Sequence, residues 1–218
     1  MQNGDMEIML HRRLLFDDAF GVGEPLNESA YGQGLVVRGK HWLQFETGGE
    51  ASAAKRHRLK AQEIFMDAIL TFAPTTLTFE DWKSKFNMEF SSLQSELPAN
   101  VHLLTLEEWP GNSRNTLLLR LEHIFEAFED PTDMSKPASV KLATLFQAFD
   151  ISKVEEVTLG ANLNKAKLQR LQWQVMNEVN FESNDEIKQL EQDNGFEITL
   201  EPFQIRSFII EIKPKTQM

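Results

Sequence analysis

The chain has 218 residues, of which 41% are hydrophobic and 25% are charged, and its formal net charge is -11. This length permits one large or two small domains with a substantial core. The acidic balance argues against nucleic acid as the main partner, and no apolar run approaches the roughly 20 residues needed to cross a bilayer. Because the sequence contains no cysteine, disulfides, thiolate metal sites and cysteine nucleophiles are excluded.

The first predicted element is a strand over residues 6–10, where apolar and other side chains alternate. Arg12 and Arg13 follow at positions where the apolar pattern would otherwise continue. In a strand they point to opposite faces, so one of them is directed toward the side that carries Ile8 and Leu10. A guanidinium in that position requires acidic or hydroxyl partners.

Two interpretations of the double arginine follow from the residues alone. In the first, Arg12 or Arg13 forms a structural ion pair with Asp17 or Asp18 at the end of the strand. In the second, one arginine binds a polar ligand at a domain edge, because its planar fork of donors suits hydroxyl and carboxylate groups. The sequence pattern does not choose between them.

The rest of the first half predicts further strands at residues 35–45 and 63–72, a short helix over residues 51–60, and a helix or aromatic-packed loop over residues 81–96. Trp42, among apolar strand residues, is expected to pack in the core. In so acidic a chain, the basic cluster of the helix is expected to be a solvated face. That cluster consists of Lys55, Arg56, His57, Arg58 and Lys60.

The polar, proline-containing segment at residues 95–100 is the best candidate for a domain boundary. After it, short strands recur as a sandwich requires. Within the strand over residues 117–125, His123 lies in an apolar row and is expected to be a hydrogen-bonded core histidine rather than a metal ligand. The other strands are predicted at residues 101–106, 151–159, 168–175, 196–200 and 204–212, with one amphipathic helix at 142–149 and exposed loops at 129–133 and 180–194.

A self-contained catalytic site is not evident in the sequence. It lacks the common zinc-protease, serine-hydrolase, phosphate-loop and dinucleotide motifs, and its five histidines are scattered. Retaining glycosidases need two carboxyl groups about 5–5.5 Å apart. Asp17 and Asp18 are adjacent in sequence, but adjacent strand residues diverge, so both are assigned a structural role.

The run MEIMLHRRLLFDDAFGVGEPLNE resembles the C-terminal half of the family 38 glycoside hydrolases, most closely the lysosomal α-mannosidases. The resemblance continues in the same order through nearly the whole chain, and the HRRLLFDD, RLEH and LEPFQIRSF motifs make it specific. The further matching stretches are GLVVRGKHWL (34–43), LPANVHLLTL (97–106), LLLRLEHIFE (117–126), VEEVTLGAN (154–162), RLQW (170–173) and ITLEPFQIRSF (198–208).

The resemblance implies an all-β fold. It places part of a large β-sandwich, of the galactose-mutarotase-like supersandwich type, at residues 1–96, followed by a smaller C-terminal β-sandwich at residues 97–218. The family has a long N-terminal catalytic domain and a helical bundle ahead of this region. The chain is therefore expected to be the C-terminal portion of a larger enzyme.

The same resemblance implies a function. The complete enzyme is expected to be a retaining, zinc-dependent α-mannosidase that removes terminal α-D-mannose from N-glycan-derived oligosaccharides. Its nucleophile, acid/base and zinc ligands lie in the N-terminal domain, so this chain is expected to hold no catalytic or metal-binding residue and to be inactive alone. Arg12 or Arg13 is expected to line the sugar pocket, with the catalytic domain and a mannose-containing glycan as partners.

A lysosomal or secretory location is implied by the resemblance, although the polar residues at the start of this sequence are not expected to be a signal peptide. Asn27 begins an Asn-Glu-Ser acceptor triplet for N-glycosylation, which has meaning only in the secretory pathway. The alternative function is a stand-alone, non-catalytic β-sandwich that binds carbohydrate or is merely structural.

Overall fold

The structure is a computed structural model that describes residues 5–109, 115–169, 190 and 192–215. It divides into two compact units, residues 1–44 and residues 45–218. The first unit contains a small antiparallel hairpin of β1 (Ser29–Ala30) and β2 (Gln33–Gly34). Its two-residue turn has Tyr31 at φ 53° and Gly32 at φ 77°, the pair of positive φ values that a tight hairpin turn requires.

Two helices begin the second unit. Helix α1 (Gly49–Phe65) is polar, and it has no buried residue. Helix α2 (Phe79–Lys85) begins at the N-cap Thr78, whose hydroxyl accepts a hydrogen bond from the backbone N–H of Asp81 at 3.2 Å. A threonine cap satisfies one of the backbone donors that a helix start leaves without a partner.

Two antiparallel sheets follow the helices. The first has the strand order β3-β4-β8-β6, and the second pairs β5 with β7. Their strands are β3 (Val101–Glu108), β4 (Thr116–His123), β5 (Ala138–Lys141), β6 (Phe149–Val157), β7 (Glu197–Leu200) and β8 (Ile205–Pro214).

The core lies where the two sheets face each other. In the four-stranded sheet, Leu119 of β4 is directly opposite Phe208 of β8, and both side chains are fully buried. Ile198 and Leu200 of β7 contribute to the same cluster from the other sheet. The alternation of buried and exposed residues along β5 and β7 is the pattern expected of strands with one face in a core. The chain is thus mostly β, in antiparallel sheets with few helices, as predicted.

Several sequence-based predictions are confirmed. The expected helix at 51–60 is part of α1, that at 81–96 corresponds in part to α2, and the strands predicted at 101–106, 151–159 and 204–212 correspond to β3, β6 and β8. His123 is completely buried. Its Nε2 lies 2.9 Å from the carbonyl oxygen of Lys136 and its Nδ1 lies 3.1 Å from that of Phe125. It is therefore the hydrogen-bonded core histidine that its apolar row predicts.

Other predictions are wrong in the first half of the chain. Residues 6–10 and 35–45 do not form the strands that their alternation predicts, and residues 63–72 divide between the end of α1 and irregular backbone. Trp42, expected in the core, is 57% exposed. A strand needs a neighbouring strand to satisfy its backbone groups, and in the described residues these segments have none.

The amphipathic helix predicted at residues 142–149 is also wrong. Residues Leu142–Thr144 form one 3-10 turn, and Phe149 already begins β6. Leu142, Leu145 and Phe146 are nevertheless buried in the core. Burial of these side chains explains the helical spacing, because a tight connection between two sheets can present the same residues inward without a regular helix.

The predicted boundary between residues 96 and 97 stays a prediction. Backbone hydrogen bonds join Gln94 N to Leu145 O at 2.8 Å and Gln147 N to Ser92 O at 3.0 Å, so residues 92–94 pair with the sandwich. Most of the strand predicted at 168–175 and of the loop predicted at 180–194 lies outside the described residues. Among the helices of the described part, none is long and apolar enough to span a membrane.

Candidate functional site

The double arginine lies in the irregular part of the first unit, just ahead of the hairpin. A backbone hydrogen bond from Leu14 N to Pro25 O, 3.1 Å long, closes the loop of residues 14–25 that follows the two arginines. The guanidinium of Arg13 rests against β2, since a Cβ atom added to Gly34 would lie 2.8 Å from Arg13 Nη1. Glycine at position 34 therefore leaves the space that the Arg13 side chain occupies. Arg12 is also exposed, so both guanidinium groups can reach solvent.

The ion pair between an arginine and a neighbouring aspartate is not formed. In the part of the chain that the structure describes, neither Arg12 nor Arg13 makes a salt bridge. Asp18 instead accepts a hydrogen bond from the backbone N–H of Phe20 at 3.1 Å. The first of the two interpretations of the arginines, a structural pair with Asp17 or Asp18, is therefore wrong for this structure.

The glycosylation acceptor precedes the hairpin. Asn27 is exposed, and Ser29, the third residue of its triplet, begins β1. An exposed asparagine next to a short hairpin is accessible to a modifying enzyme, and its assignment as a glycosylation site stays a prediction.

A largely buried triad of charged residues, Glu156, Arg206 and Lys165, joins the two sheets of the second unit. Arg206 Nε donates to Glu156 Oε1 at 3.0 Å, Lys165 Nζ lies 2.9 Å from the same carboxylate, and Arg206 Nη1 donates to the backbone oxygen of Thr199 in the other sheet at 2.9 Å. Burial raises the pKa of Glu156, but hydrogen bonds from Arg206 and Lys165 outweigh it and hold this pKa below its ordinary value. The Arg206 guanidinium also lies 5.3 Å from the ring centroid of Phe208.

A second set of charges joins α1 to the loop that follows β4. Arg58 Nη2 donates to Glu129 Oε1 at 2.7 Å, and Lys55 Nζ donates to Asp133 Oδ2 at 2.9 Å. The basic cluster of α1 is thus only in part the solvated face expected from the sequence. Lys55 and Arg58 of this cluster contact the sandwich.

The carboxylates of these charged groups are held by hydrogen-bond donors. Each described carboxylate with a lowered pKa accepts hydrogen bonds that hold it in its ionised form, which makes it a weaker proton acceptor. Among the described residues, no group of three or more His, Cys, Asp or Glu side chains could hold a metal ion. The described residues therefore do not fit the zinc ion that the family resemblance implies.

Sequence reasoning missed three parts of this arrangement. The contact of Arg13 with Gly34 could not be predicted from a local sequence pattern, because it joins residues that are distant in sequence. The contact of Arg58 with Glu129 likewise joins remote segments. Arg206, however, lies in the same alternating row as Phe208 and Ile210, and an arginine in an apolar row is the usual mark of a buried ion pair.

Comparison with known proteins identifies the family. Residues 100–208 match the family described as "Glycosyl hydrolases family 38 C-terminal beta sandwich domain". The chain is 38% identical to lysosomal alpha-mannosidase of Cavia porcellus over 217 residues, 98% of this chain and 20% of that protein. It is 43% identical to lysosomal alpha-mannosidase of Bos taurus over 180 residues, 79% of this chain and 17% of that protein. It is 37% identical to the Homo sapiens lysosomal alpha-mannosidase over 216 residues, 99% of this chain and 20% of that protein.

The chain thus spans about a fifth of the length of the curated relatives it matches. The matched family segment begins next to β3 and ends within β8, so it covers the four-stranded and two-stranded sheets described above. The likeness to the relatives extends across the arginine segment as well. On this evidence the chain belongs to glycosyl hydrolase family 38 and carries the C-terminal beta sandwich domain of that family.

Proposed function

We propose that this chain is the C-terminal β region of an α-mannosidase whose reactive groups are encoded outside it. The proposal rests on how much of this chain, and how little of its relatives, the alignments cover. Nearly the whole chain aligns with proteins named lysosomal alpha-mannosidase, yet it accounts for only 20% of their length. A segment of that kind contributes structure and substrate contacts to a larger enzyme.

The proposed reaction of the complete protein is hydrolysis of terminal α-D-mannose from N-glycan-derived oligosaccharides, with retention at the anomeric carbon. Retention requires two carboxyl groups about 5–5.5 Å apart on either side of the scissile bond. We assign those carboxyl groups, and the ligands of a zinc ion, to residues outside this chain. The names of the relatives support a lysosomal location for the complete protein.

The role we assign to the chain itself is to present Arg12 or Arg13 to the sugar. Both guanidinium groups are exposed and neither is neutralised by a carboxylate among the described residues. Arginine offers several donors in a fixed plane, which suits vicinal sugar hydroxyls. The two differ in freedom, because Arg13 already rests against Gly34. That contact reduces the entropy Arg13 would lose on binding.

The exposed apolar side chains of the first half support a partner surface. Phe20 is 93% exposed, Ile69 is 89% exposed and Phe72 is 93% exposed. Large apolar side chains exposed in such number mark surfaces that another protein part covers. We assign these exposed side chains, Phe20 in the first unit and Ile69 and Phe72 in the second, to contacts with the N-terminal catalytic domain of the same enzyme.

Activity measurements test the proposal. The isolated 218-residue chain should release no mannose from an α-mannoside, whereas a protein that joins it to the remaining four-fifths of the relatives' length should. A stable isolated chain that binds mannosides would support the alternative of a stand-alone carbohydrate-binding sandwich. Mannosidase activity in the isolated chain would overturn the assignment of the reactive groups to other residues.

Arginine variants of the complete protein test the pocket role. We expect Arg12→Ala or Arg13→Ala to lower kcat/KM about 30-fold, because a charge-assisted hydrogen bond contributes about 2 kcal/mol. Arg38→Ala removes an exposed arginine from the same unit and serves as the control. Kinetics unchanged from the control in both variants would remove the double arginine from the pocket.

A further inference from the structure

Helix α1 is 17 residues long, yet it places no residue in the buried core, and its Leu59 and Ile64 stay 36% and 39% exposed. None of its residues is buried, and isolated helices of this length are only marginally stable in water. Most helices in proteins are held by an apolar face that packs on a core. The contacts that hold α1 must therefore be of another kind.

The main contact is a bidentate ion pair between Arg58 and Glu129. Arg58 Nε lies 3.2 Å and 3.1 Å from the two carboxylate oxygens, and Nη2 lies 2.7 Å from Oε1. The side chains are 26% and 23% exposed, so water competes only in part for the pair. Bidentate ion pairs of this geometry are stronger and more directional than single hydrogen bonds between surface charges.

Two weaker contacts lie on the same side of the helix. Lys55, one turn before Arg58, donates to Asp133 at 2.9 Å, although both of these side chains are largely exposed. The Arg58 guanidinium lies 5.4 Å from the ring centroid of Phe203. Lys55 and Arg58 are three residues apart and so share a helix face.

The loop that receives α1 is fixed by its own hydrogen bonds. Glu129 Oε2 accepts from the backbone N–H of Glu126 at 2.9 Å, and Asp130 N donates to Ser135 Oγ at 2.9 Å. Asp130 is itself buried, and its side chain accepts from the Thr132 hydroxyl at 2.7 Å. A carboxylate held in place in this way loses little entropy when the arginine binds.

From these contacts we propose that α1 is fastened to the C-terminal sandwich by an ionic clasp, formed by Arg58 and Lys55 on the helix with Glu129 and Asp133 on the loop after β4. The clasp gives residues 49–65 a defined place on the sandwich without any fully buried residue in the helix. It predicts a helix that is sensitive to salt and tolerant of mild acid. The proposal is independent of the enzymatic function proposed above.

The acid tolerance follows from the charges around Glu129. The hydrogen bonds from Arg58, followed by that from the Glu126 N–H, hold the pKa of Glu129 below its ordinary value against the opposing effect of burial. Because this pKa is lowered in the folded state, the contribution of Glu129 is present above the ordinary value of 4.5 and is lost as the pH falls through the lowered value. The charged and titratable groups that act on the Arg58–Glu129 pair are His57, Glu122 and Glu126. Asp130 and Asp133 act on Lys55, the other basic member of the clasp.

Hydrogen–deuterium exchange of peptides that cover α1 tests the clasp in the 218-residue chain. We expect Glu129→Gln to speed exchange of the α1 amides about tenfold, and the charge-swapped pair Arg58→Glu with Glu129→Arg to recover most of the protection. Glu126→Gln is the matched control, because it removes a carboxylate from the same loop that acts on Arg58 only through space, with no hydrogen bond to α1 in the described contacts. Its exchange should stay within about twofold of the unaltered chain.

Salt and pH provide the second readout. Raising NaCl from about 0.05 to 0.5 M should speed α1 exchange in the unaltered chain more than in Glu129→Gln, where only the Lys55–Asp133 pair remains to be screened. Protection of the α1 amides, corrected for intrinsic exchange, should be equal at pH 7 and pH 5.

If Glu129→Gln disturbs the loop, exchange of peptides from β4 and β5 would show it. Arg58→Gln would then test the ion pair from the helix side. Unchanged α1 exchange in both glutamine variants would overturn the clasp.

Discussion

At the scale of single residues, Glu156 combines a charge with nearly complete burial of its side chain. Only 8% of that side chain is exposed, and it is surrounded by Arg206 and Lys165. Arg206 extends the contact to β7 through the backbone oxygen of Thr199. Removing one partner of such a group leaves the other charged and without compensation, which costs more than the pair itself contributes.

We therefore expect Glu156→Gln to lower the free energy of unfolding by about 3 kcal/mol. Urea denaturation followed by circular dichroism measures the difference. Glu211→Gln is the control, because Glu211 pairs with Lys153 at 2.9 Å where both side chains are more than half exposed. Its effect should stay below about 1 kcal/mol. Equal losses in the two variants would show that burial of the triad has no energetic consequence.

The stability that Glu156 provides should depend on pH in one direction. Its pKa is lowered in the folded chain, so its contribution is complete above the ordinary value of 4.5 and is lost as the pH falls through the lowered value. The gap in unfolding free energy between the unaltered chain and Glu156→Gln should be constant from pH 7 to about pH 5.5 and should narrow below 4.5. Denaturation curves at intervals of half a pH unit measure this gap, and a gap that widens in acid would contradict the assignment.

At the scale of elements, β8 is the strand on which the sandwich depends. It pairs with β4 on one side and with β6 on the other, and it carries fully buried residues into the core. Phe208 lies opposite both Leu119 of β4 and Glu156 of β6. A side chain in that position joins three strands and the buried triad.

We expect Phe208→Ala to lower the unfolding free energy by about 3–5 kcal/mol, because it removes a fully buried ring and leaves a cavity. Phe128, which is 90% exposed in the loop after β4, provides the control. Phe128→Ala should change stability by less than about 0.5 kcal/mol. Thermal and urea unfolding of both variants would measure the difference, and a small loss for Phe208→Ala would place the core elsewhere.

The two halves of the chain differ in how far sequence patterns predict their elements. The strand pattern of residues 204–212 predicts β8 because its apolar row has a core to face within the chain. The alternation at residues 6–10 is as regular, yet no strand forms there, since among the described residues no neighbouring strand pairs with it. The periodicity of apolar residues predicts which face of a segment would be buried. Whether a strand forms also depends on a neighbouring strand that pairs with the segment. The contact of Arg13 with Gly34 depends on chain folding that no local pattern encodes.

At the scale of the whole molecule, burial is distributed unevenly. The fully buried apolar residues lie at position 118 or later, whereas much of the exposed apolar surface belongs to residues 6–90. The relatives are about five times longer than the aligned region. An acidic net charge of -11 favours solubility, but it does not cover apolar side chains.

This distribution predicts how the isolated chain behaves toward a hydrophobic dye. We expect the 218-residue chain to enhance the fluorescence of anilinonaphthalene sulfonate several-fold while retaining the circular dichroism of a β protein, because the dye reports exposed apolar surface. A protein that includes the remaining length of the relatives should give much weaker fluorescence per mole, since its additional domains would cover residues 6–90. When the isolated chain is titrated with guanidinium, the bound dye should be released only as the sandwich unfolds or as residues 6–90 lose their residual structure. Fluorescence as weak as that of the longer protein would mean that residues 6–90 cover their own apolar side chains. It would remove the main physical support for contacts between these residues and the catalytic domain.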